Sequence, residues 1–514
     1  MIPDTLIPVY TKLFNYCLTT NTIPDEWKSA VVMPLYKNKG NRNDMKNYRG
    51  ISILTPVSKV FERLLSIQIT NYFDSNKLFY TGQHGFRKNH SCETALHELI
   101  SDLNHSKNQK LISLLLFIDF RKAFDCLDSN LLLTKLFHYG FNTSSLNLIA
   151  NYFSNRSQIT KLGTSSSNSL PINLGCIQGS LLGPLFFLIF INDLPYLLEG
   201  LRCKLFADDT TLYHDSDDID QLINQFSTKV KPLFSWCESN RLDINWEKTY
   251  CMFITNRRVL LPGVLTINGY NVNSVNSFKL LGVTIDNKLQ FREHTANICR
   301  AINSKLFSIN RLFNLNNSVK IQFFKSFILP YFDYCSSLFI YYTRMALTKL
   351  LTKFYFCVYK LFNISFDFFT SASEINELLK ENLNIQSFQS RLFSRFSVFT
   401  YKMLHFDSAA DLKEVVLNNL LTQSLSNAVP EDDTRTLRNN KVIVTSYVYT
   451  KQCTFEYFSN ILIKTISVEN FCSSFNTFKK FINDNVNSLV EKSNICNLDI
   501  IQRYHKWTKQ KTKN

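Results

Sequence analysis

A near-continuous apolar segment, residues 111–118, ends in a carboxylate, Asp119. A run of this kind is typical of a central β-strand that is covered on both faces of its sheet. A carboxylate at the end of a buried strand is costly unless a partner compensates its charge. The segment therefore predicts a buried sheet with a charged site at one edge.

A second acidic feature, the pair Asp208–Asp209, lies between two short β-favouring runs at 202–207 and 210–213. The pattern predicts a β-hairpin with both carboxylates at its tip. Taken alone, the pair is most simply interpreted as an ordinary turn, because aspartate side chains bond to their own backbone there. The hairpin becomes a candidate site only if its tip meets Asp119.

If Asp119 and Asp208 lie side by side, their charges repel by about 4 kcal/mol at about 4 Å and an effective dielectric constant of about 20. Either one carboxyl group is protonated or a divalent cation lies between them. Oxygen ligands without histidine or cysteine favour Mg²⁺ or Mn²⁺ over zinc. Two such ions held by Asp119, Asp208 and Asp209 would suit in-line phosphoryl transfer.

Three segments together resemble a known family. FIDFRKAFD at 117–125, IQGSLLGPLFFLIFINDL at 177–194 and FADD at 206–209 are similar, in order and spacing, to the palm motifs of reverse transcriptases. The resemblance is to the non-LTR (LINE-type) retrotransposon branch, in a jockey-like form. It implies an α+β right-hand polymerase fold of fingers, palm and thumb with an antiparallel palm sheet, followed by a mostly helical C-terminal region.

The resemblance also implies an activity. The chain would be an RNA-directed DNA polymerase that extends a DNA primer on an RNA template with dNTPs. It would use two Mg²⁺ ions, for which Mn²⁺ could substitute. Asp119, Asp208 and Asp209 would be catalytic and metal-binding residues. Lys248 is a candidate proton donor to the departing pyrophosphate, and it suits an ordinary surface lysine equally well.

A predicted β-hairpin near the N-terminus carries candidate phosphate ligands. Its strands are expected at 30–36 and 49–54, and the basic loop between them holds Lys37 and Lys39. Held over the acidic site, Lys37 or Lys39 and Arg49 could bind a triphosphate, since arginine offers a bidentate fork and lysine a mobile charge. The alternative is a solvated surface hairpin.

Three further residues are candidates for the nucleotide pocket. The resemblance places Phe124 against the sugar of the incoming nucleotide, where its ring would exclude the 2′-hydroxyl that distinguishes RNA precursors. It places Gln178 near the nascent base pair. Gly179 would permit close approach of the backbone to a ligand. Phe124 therefore argues for dNTPs and against an RNA-dependent RNA polymerase.

Basic residues elsewhere are candidates for nucleic-acid contacts. The formal net charge of +16 suits a polyanionic partner, although many proteins are mildly basic. Residues 83–91 resemble the template-side loop of the family and carry Arg87 and Lys88, which an ordinary basic loop would also explain. A long helical pattern after residue 287, predicted to be the thumb, carries three more candidates: Arg300, Lys305 and Arg311.

Four parts of the chain are predicted: a helical lead-in (1–29), fingers and palm (30–286), a thumb-like helical region (287–400) and a C-terminal region of unknown role with a basic tail (401–514). Within the palm, residues 142–174 are expected to be a Ser/Thr/Asn-rich connection. The oligomeric state is left open.

The 13 cysteines include no C-x-x-C pair, and no secretory signal is visible, so reduced thiols and an intracellular location, cytoplasmic or nuclear, are expected. The longest apolar run, 181–191, is shorter than the roughly 18 residues of a membrane-spanning helix, and no membrane segment is expected. Gly50 and Ile177 stand where the family usually has proline. These departures keep open an alternative, a catalytically inert remnant that only binds nucleic acid.

Overall fold

The computed structural model describes residues 4–309, 315–366, 372–406, 409–427 and 455–493. Arg311 and the basic tail after residue 499 lie outside these ranges. The elements that precede the palm sheet are α1 (Ile7–Thr20), β1 (Ser29–Tyr36), β2 (Tyr48–Ile53), α2 (Pro56–Ser75) and α3 (Cys92–Asn108). The expected β1–β2 hairpin is confirmed, with Tyr36 opposite Tyr48 in an antiparallel pair.

The next elements complete the fingers and build the palm. They are β3 (Ile112–Ile118), α4 (Ser129–His138), α5 (Thr143–Phe153), β4 (Arg156–Leu162), β5 (Ser165–Ser166), β6 (Leu170–Ile172), α6 (Leu182–Ile191), α7 (Leu194–Leu197), β7 (Arg202–Phe206), β8 (Asp209–Ser216), α8 (Ile219–Lys229), α9 (Lys231–Ser239) and β9 (Tyr250–Ile254).

The expectation that residues 142–174 form a simple connection is wrong. This segment contains α5 and three strands, of which β4 pairs in parallel with β1 of the fingers. The sequence of β4, RSQITKL, carries little strand signal of its own. Its conformation is set by the neighbouring strand edge, because β-propensity depends strongly on the packing context.

The palm is an antiparallel sheet with the strand order β7–β8–β3–β9. All seven residues of β3 are buried, as its apolar composition predicts. Successive side chains on a strand point to opposite faces. Leu114 and Leu116 join the core of the fingers and palm, whereas Leu115 and Phe117 join a second core shared with the C-terminal half. The central strand is therefore covered on both sides.

The remaining described elements are two hairpins and a set of helices. They are β10 (Val264–Ile267), β11 (Tyr270–Asn273), β12 (Ser277–Leu280), β13 (Val283–Asp286), α10 (Arg292–Ile309), α11 (Asn317–Phe323), α12 (Leu329–Asp333), α13 (Arg344–Phe362), α14 (Ala372–Leu383), α15 (Phe388–His405), α16 (Ala410–Asn427), α17 (Phe455–Thr465), α18 (Val468–Cys472) and α19 (Phe475–Ser493).

The C-terminal helices pack directly on the palm through α3. The buried ring of His97 on α3 stacks on Phe399 of α15, with 4.1 Å between ring centroids. Its nitrogens contact the hydroxyl groups of Ser337 at 2.7 Å and Tyr341 at 3.1 Å. The α+β fold with an antiparallel palm sheet and a helical C-terminal region is thus confirmed. None of the helices in the described ranges combines the length and apolar character needed to cross a bilayer.

Candidate active site

The acidic hairpin forms as predicted, with one adjustment. Phe206 is paired with Asp209, so Ala207 and Asp208 make the two-residue turn and Asp209 is already the first residue of β8. Ala207 has a φ of 57°, in the left-handed region that favours glycine. A strained turn of this kind persists only where surrounding contacts hold it.

Those contacts come from the segment 82–85, which aligns along the free edge of β7. The N–H group of Leu205 donates to the carbonyl of Gly82 at 2.9 Å. The side-chain oxygen of Gln83 accepts hydrogen bonds from the N–H groups of Gly85 (2.8 Å) and Ala207 (3.0 Å). A Cβ on Gly85 would overlap with the backbone of Ala207. The segment therefore sets the position of Asp208.

Asp119 follows β3 at the same edge of the sheet, since Ile118 is paired with Thr210 next to the acidic turn. Its carboxylate accepts a hydrogen bond from the side chain of Asn245 at 2.8 Å, and its carbonyl accepts one from the N–H of Asn245 at 2.7 Å. Asn245 lies in the loop before β9. Two contacts to one residue fix the orientation of the Asp119 carboxylate.

The carboxyl groups of Asp208 and Asp209 lie close enough to Asp119 for its charge to act on them. Burial raises the pKa of Asp208, and the charge of Asp119 raises it further, while Arg49 acts in the opposite direction. Burial, then the charges of Asp208 and Asp119, raise the pKa of Asp209 to about 6. Asp209 is nevertheless exposed to solvent, so its carboxyl group is desolvated only in part. Like charges at this edge destabilise one another's ionised forms.

These acids suit a magnesium-type site that substrate completes. Within the described residues, no three His, Cys, Asp or Glu side chains form a group that could hold a metal ion. Mg²⁺ is commonly bound by one or two carboxylates together with water and substrate phosphates, without a complete protein cage. Asp119 and Asp208 offer hard oxygen donors whose mutual repulsion a divalent cation would relieve. The donor set therefore fits the expected ion.

We refer to Asp119, Asp208 and Asp209 as the acidic centre. Lys248 also lies there. Its Nζ is 3.6 Å from the Asp119 carboxylate, and the two side chains are 69% and 38% exposed, respectively. An ion pair this exposed contributes little to stability. It nevertheless places a mobile ammonium group beside the carboxylates.

The fingers hairpin brings one of its three candidate residues to the site. Arg49 is exposed on β2, and its charge acts on Asp208. The Nζ of Lys37 instead donates to the carbonyl of Lys46 within the hairpin loop, at 2.9 Å. Lys39 is exposed in the same loop.

Phe124 lies beside the site, half-buried in an aromatic cluster. Its ring centroid is 4.5 Å from that of Phe187 on the buried helix α6 and 6.5 Å from that of Phe86. Phe86 is exposed and belongs to the template-side loop. The side chain of Gln178 donates to Asp125 at 2.8 Å, and this contact anchors the loop before α6.

Gly179 makes its close backbone approach to the fingers. It has a φ of 126°, and a Cβ here would overlap with the carbonyl oxygen of Ser52 on β2. The N–H of Ser52 donates to the carbonyl of Gln178 at 2.6 Å. The contact that requires glycine at this position is thus internal, and it joins the fingers sheet to the loop before α6.

The same loop is held from below by Glu62, a buried residue of α2. One carboxylate oxygen accepts hydrogen bonds from the Ser180 hydroxyl at 3.0 Å and the Leu181 N–H at 2.7 Å. The other oxygen accepts from the Tyr152 hydroxyl at 3.2 Å. No sequence pattern indicated the supporting roles of Gln83, Asn245 or Glu62. Of the three, Gln83 alone lies in a segment, residues 83–91, that resembles a motif of the family.

The basic residues that were predicted to contact nucleic acid differ in how exposed their side chains are. The Arg87 guanidinium donates to the carbonyls of Tyr80 and Gln83 and lies 3.6 Å from Asp74, and its side chain is only 15% exposed. Lys88 is exposed. On α10, the exposed Arg300 donates to Asn297 at 2.6 Å, and the Nζ of the half-buried Lys305 lies 6.0 Å from the ring centroid of Phe327.

An antiparallel palm sheet, an acidic centre at its edge and an arginine-bearing hairpin together define the class of right-hand nucleotide polymerases. Residues 36–285 match the family described as reverse transcriptase (RNA-dependent DNA polymerase). This part of the chain is similar to reverse transcriptases, and the resemblance to the non-LTR branch is confirmed.

Two of the curated relatives come from mobile elements of Drosophila melanogaster. The RNA-directed DNA polymerase from mobile element jockey is 27% identical over 341 residues, which cover 64% of this chain and 37% of the relative. The probable RNA-directed DNA polymerase from transposon X-element is 26% identical over 352 residues, 65% of this chain and 37% of the relative. The chain therefore spans little more than a third of these proteins.

Among solved structures, telomerase from Candida tropicalis in complex with a fragment of telomeric RNA matches with a TM-score of 0.38 and 10% sequence identity. The match covers 79% of this chain and 67% of that chain. A similarity of this size supports no inference about this protein.

Proposed function

We propose that the chain is an RNA-directed DNA polymerase of a non-LTR retrotransposon, which extends a primer with dNTPs by two-metal nucleotidyl transfer. The observation that carries the proposal is the proximity of Asp119 and Asp208 at one edge of the palm sheet, where the charge of Arg49 also acts on Asp208. Two carboxylates that destabilise one another's charge are costly to a fold. A cation-dependent reaction at this edge accounts for their presence.

Asp119, Asp208 and Asp209 would hold two Mg²⁺ ions, for which Mn²⁺ could substitute. When bound, the ions would favour the ionised 3′-hydroxyl of the primer and neutralise charge on the departing pyrophosphate. Asn245 keeps the Asp119 carboxylate in position through its hydrogen bond. Lys248, beside the same carboxylate, would protonate the pyrophosphate.

The substrate contacts follow from the residues around the acids. Arg49 would bind the triphosphate through its guanidinium, with Lys37 or Lys39 approaching from the hairpin loop. Phe124 would pack against the sugar and exclude a 2′-hydroxyl. Gln178 and Gly179 would shape the pocket at the nascent base pair, where the fingers and palm are joined.

The nucleic-acid partners would be an RNA template and a DNA primer. Lys88 is exposed next to the nucleotide pocket and would contact the template backbone, while Arg300 and Lys305 would lie along the primer–template duplex. Arg87 would act mainly by holding the loop that carries Lys88. The chain would comprise a helical lead-in (1–29), fingers and palm (30–286), a thumb-like helical region (287–400) and a C-terminal region (401–514). The start of α10 at Arg292 supports a thumb in this region.

Extension of a DNA primer on an RNA template with dNTPs and Mg²⁺ tests this function. The wild type, Asp208→Ala and Asp220→Ala would be compared, the last because Asp220 is an exposed aspartate of α8 outside the site. We expect extension by the wild type and Asp220→Ala and none by Asp208→Ala. If none of the three extends the primer while all bind it tightly, the chain is an inert binding protein. Preferential use of ribonucleotides would identify an RNA polymerase.

A further inference from the structure

A polar cavity lies between the template-side loop and the C-terminal helices. Its volume is about 490 Å³, and its walls come from residues 89–94, from α15 and from α19. We refer to it as the α3–α15 cavity, because it joins the start of α3 to α15. It is separate from the acidic centre, and pockets of this size accept small ligands or short stretches of a polymer.

Positive charge dominates the walls of the α3–α15 cavity. Arg391, Arg395 and Lys402 lie on one face of α15, spaced by four and seven residues, and Lys479 faces them from α19. Asp333 offsets part of this charge, because it pairs with Arg391 at 2.5 Å and Arg395 at 2.9 Å. Among the described residues that line the cavity, Glu93 is the single acid.

Two further observations indicate a site for an anion. The carboxylate of Glu93 accepts a hydrogen bond from the N–H of Ser337 at 3.1 Å, so one of its oxygens is held by the protein. Ser394, a residue only 8% exposed, lines the cavity, and its buried hydroxyl has no hydrogen-bond partner within the described structure. A buried hydroxyl without a partner requires an explanation, and a bound phosphate oxygen with a small shift of the side chain supplies one.

The α3–α15 cavity continues a path that begins at the nucleotide pocket. Phe86 contacts Phe124 at the pocket, the exposed Lys88 follows two residues later, and Asn89 already lines the cavity. Burial chiefly lowers the pKa of His90 to about 4, so this neighbour is neutral at physiological pH and the charge comes from the helices. A strand that leaves the pocket along the loop would enter the cavity.

We propose that the α3–α15 cavity binds the phosphodiester backbone of the single-stranded RNA template before it reaches the catalytic centre. This rests on the proposed polymerase function. Lys402 and Lys479, both exposed, contact the phosphates, and Arg391 and Arg395, braced by Asp333, form the floor. The volume admits only a short length of one strand, so the cavity selects the unpaired template over duplex. The C-terminal region thereby acquires a function in template binding.

The test is equilibrium binding of a primer–template by the full chain without dNTPs, measured by fluorescence anisotropy. Template strands with 5′ overhangs of about two and about twelve nucleotides would be compared. The Lys402→Glu/Lys479→Glu variant is set against Lys464→Glu/Lys480→Glu, which makes the same charge change at exposed lysines outside the cavity. Thermal unfolding would verify that both variants fold.

We expect the cavity variant to lose about tenfold in affinity for the long overhang, and the slope of log K against log salt to fall by about 1.4 for two lost single-strand contacts. Affinity for the short overhang, and extension on it, should equal those of the wild type. Equal losses on both overhangs, or in the control variant, would overturn the proposal. Overhang-dependent binding without any extension would instead refute the polymerase function and leave the cavity assignment standing.

Discussion

The side-chain oxygen of Gln83 accepts a hydrogen bond from the backbone N–H of Ala207 at 3.0 Å, across 124 residues of sequence. Ala207 precedes Asp208 in a turn with a left-handed φ. One buried amide therefore holds the turn that presents a candidate catalytic carboxylate.

The Gln83→Met variant tests this arrangement. Methionine keeps the length of the side chain and removes the acceptor, so two buried N–H groups lose their partner. We expect the free energy of unfolding to fall by about 2 kcal/mol or more. The rate of primer extension should fall while affinity for primer–template is retained, as urea unfolding and single-turnover extension would measure. An unchanged extension rate would show that the turn holds its shape without Gln83.

Gly179→Ala should destabilise the protein by about 2 kcal/mol or more, because the variant places a Cβ against Ser52 in a backbone conformation that suits glycine. Gly263→Ala is the matched control, since a Cβ there meets nothing within 4 Å. Its free energy of unfolding should change by no more than about 0.5 kcal/mol. Wild-type stability in Gly179→Ala with weaker dNTP binding would assign the glycine to the ligand instead.

Phe124→Ala should relax the choice of sugar. Removal of the ring opens space at the position where a 2′-hydroxyl would lie. The ratio of kcat/KM for dNTPs to that for the matching ribonucleotides is expected to fall by about tenfold or more. Both substrates are measured with one variant, so any loss of folded protein cancels in the ratio. An unchanged ratio would exclude Phe124 from sugar selection.

Lys248→Met and Lys248→Arg separate two roles of the ammonium group. Arginine keeps a positive charge near Asp119 and cannot readily release a proton. If Lys248 is the proton donor, both variants should lose about a hundredfold in kcat. Recovery of the wild-type rate by Lys248→Arg alone would show that only the charge matters.

His294 should make stability depend on pH. Burial, and secondarily Lys279, lower its pKa to about 4, whereas the unfolded value is about 6.5. The unfolded state therefore binds more protons between these values, and stability is lost as pH falls from about 6.5 to about 4, by about 3 kcal/mol in total. Urea unfolding should show a shallower pH dependence in His294→Asn, which can keep the acceptor for the Thr284 N–H. An equal slope in both proteins would contradict the assignment.

Much of the palm was predictable because its signals are local. The buried strand ending at Asp119 and the hairpin around Asp208 follow from apolar patterns within a few residues. The all-apolar helix α6 carries a signal of the same kind. The failure at 142–174 has the opposite cause, since β4 is a strand through its pairing with β1.

By itself, the sequence determined which acids and aromatic residues exist and which local elements carry them, since period and composition act over short spans of chain. The tertiary structure alone decided which polar side chains support them. Gln83 meets Ala207, Asn245 meets Asp119, and Arg87 is directed inward, through contacts between distant segments. Directional hydrogen bonds of this kind produce no periodic pattern in the sequence, because they depend on which distant segments folding brings together.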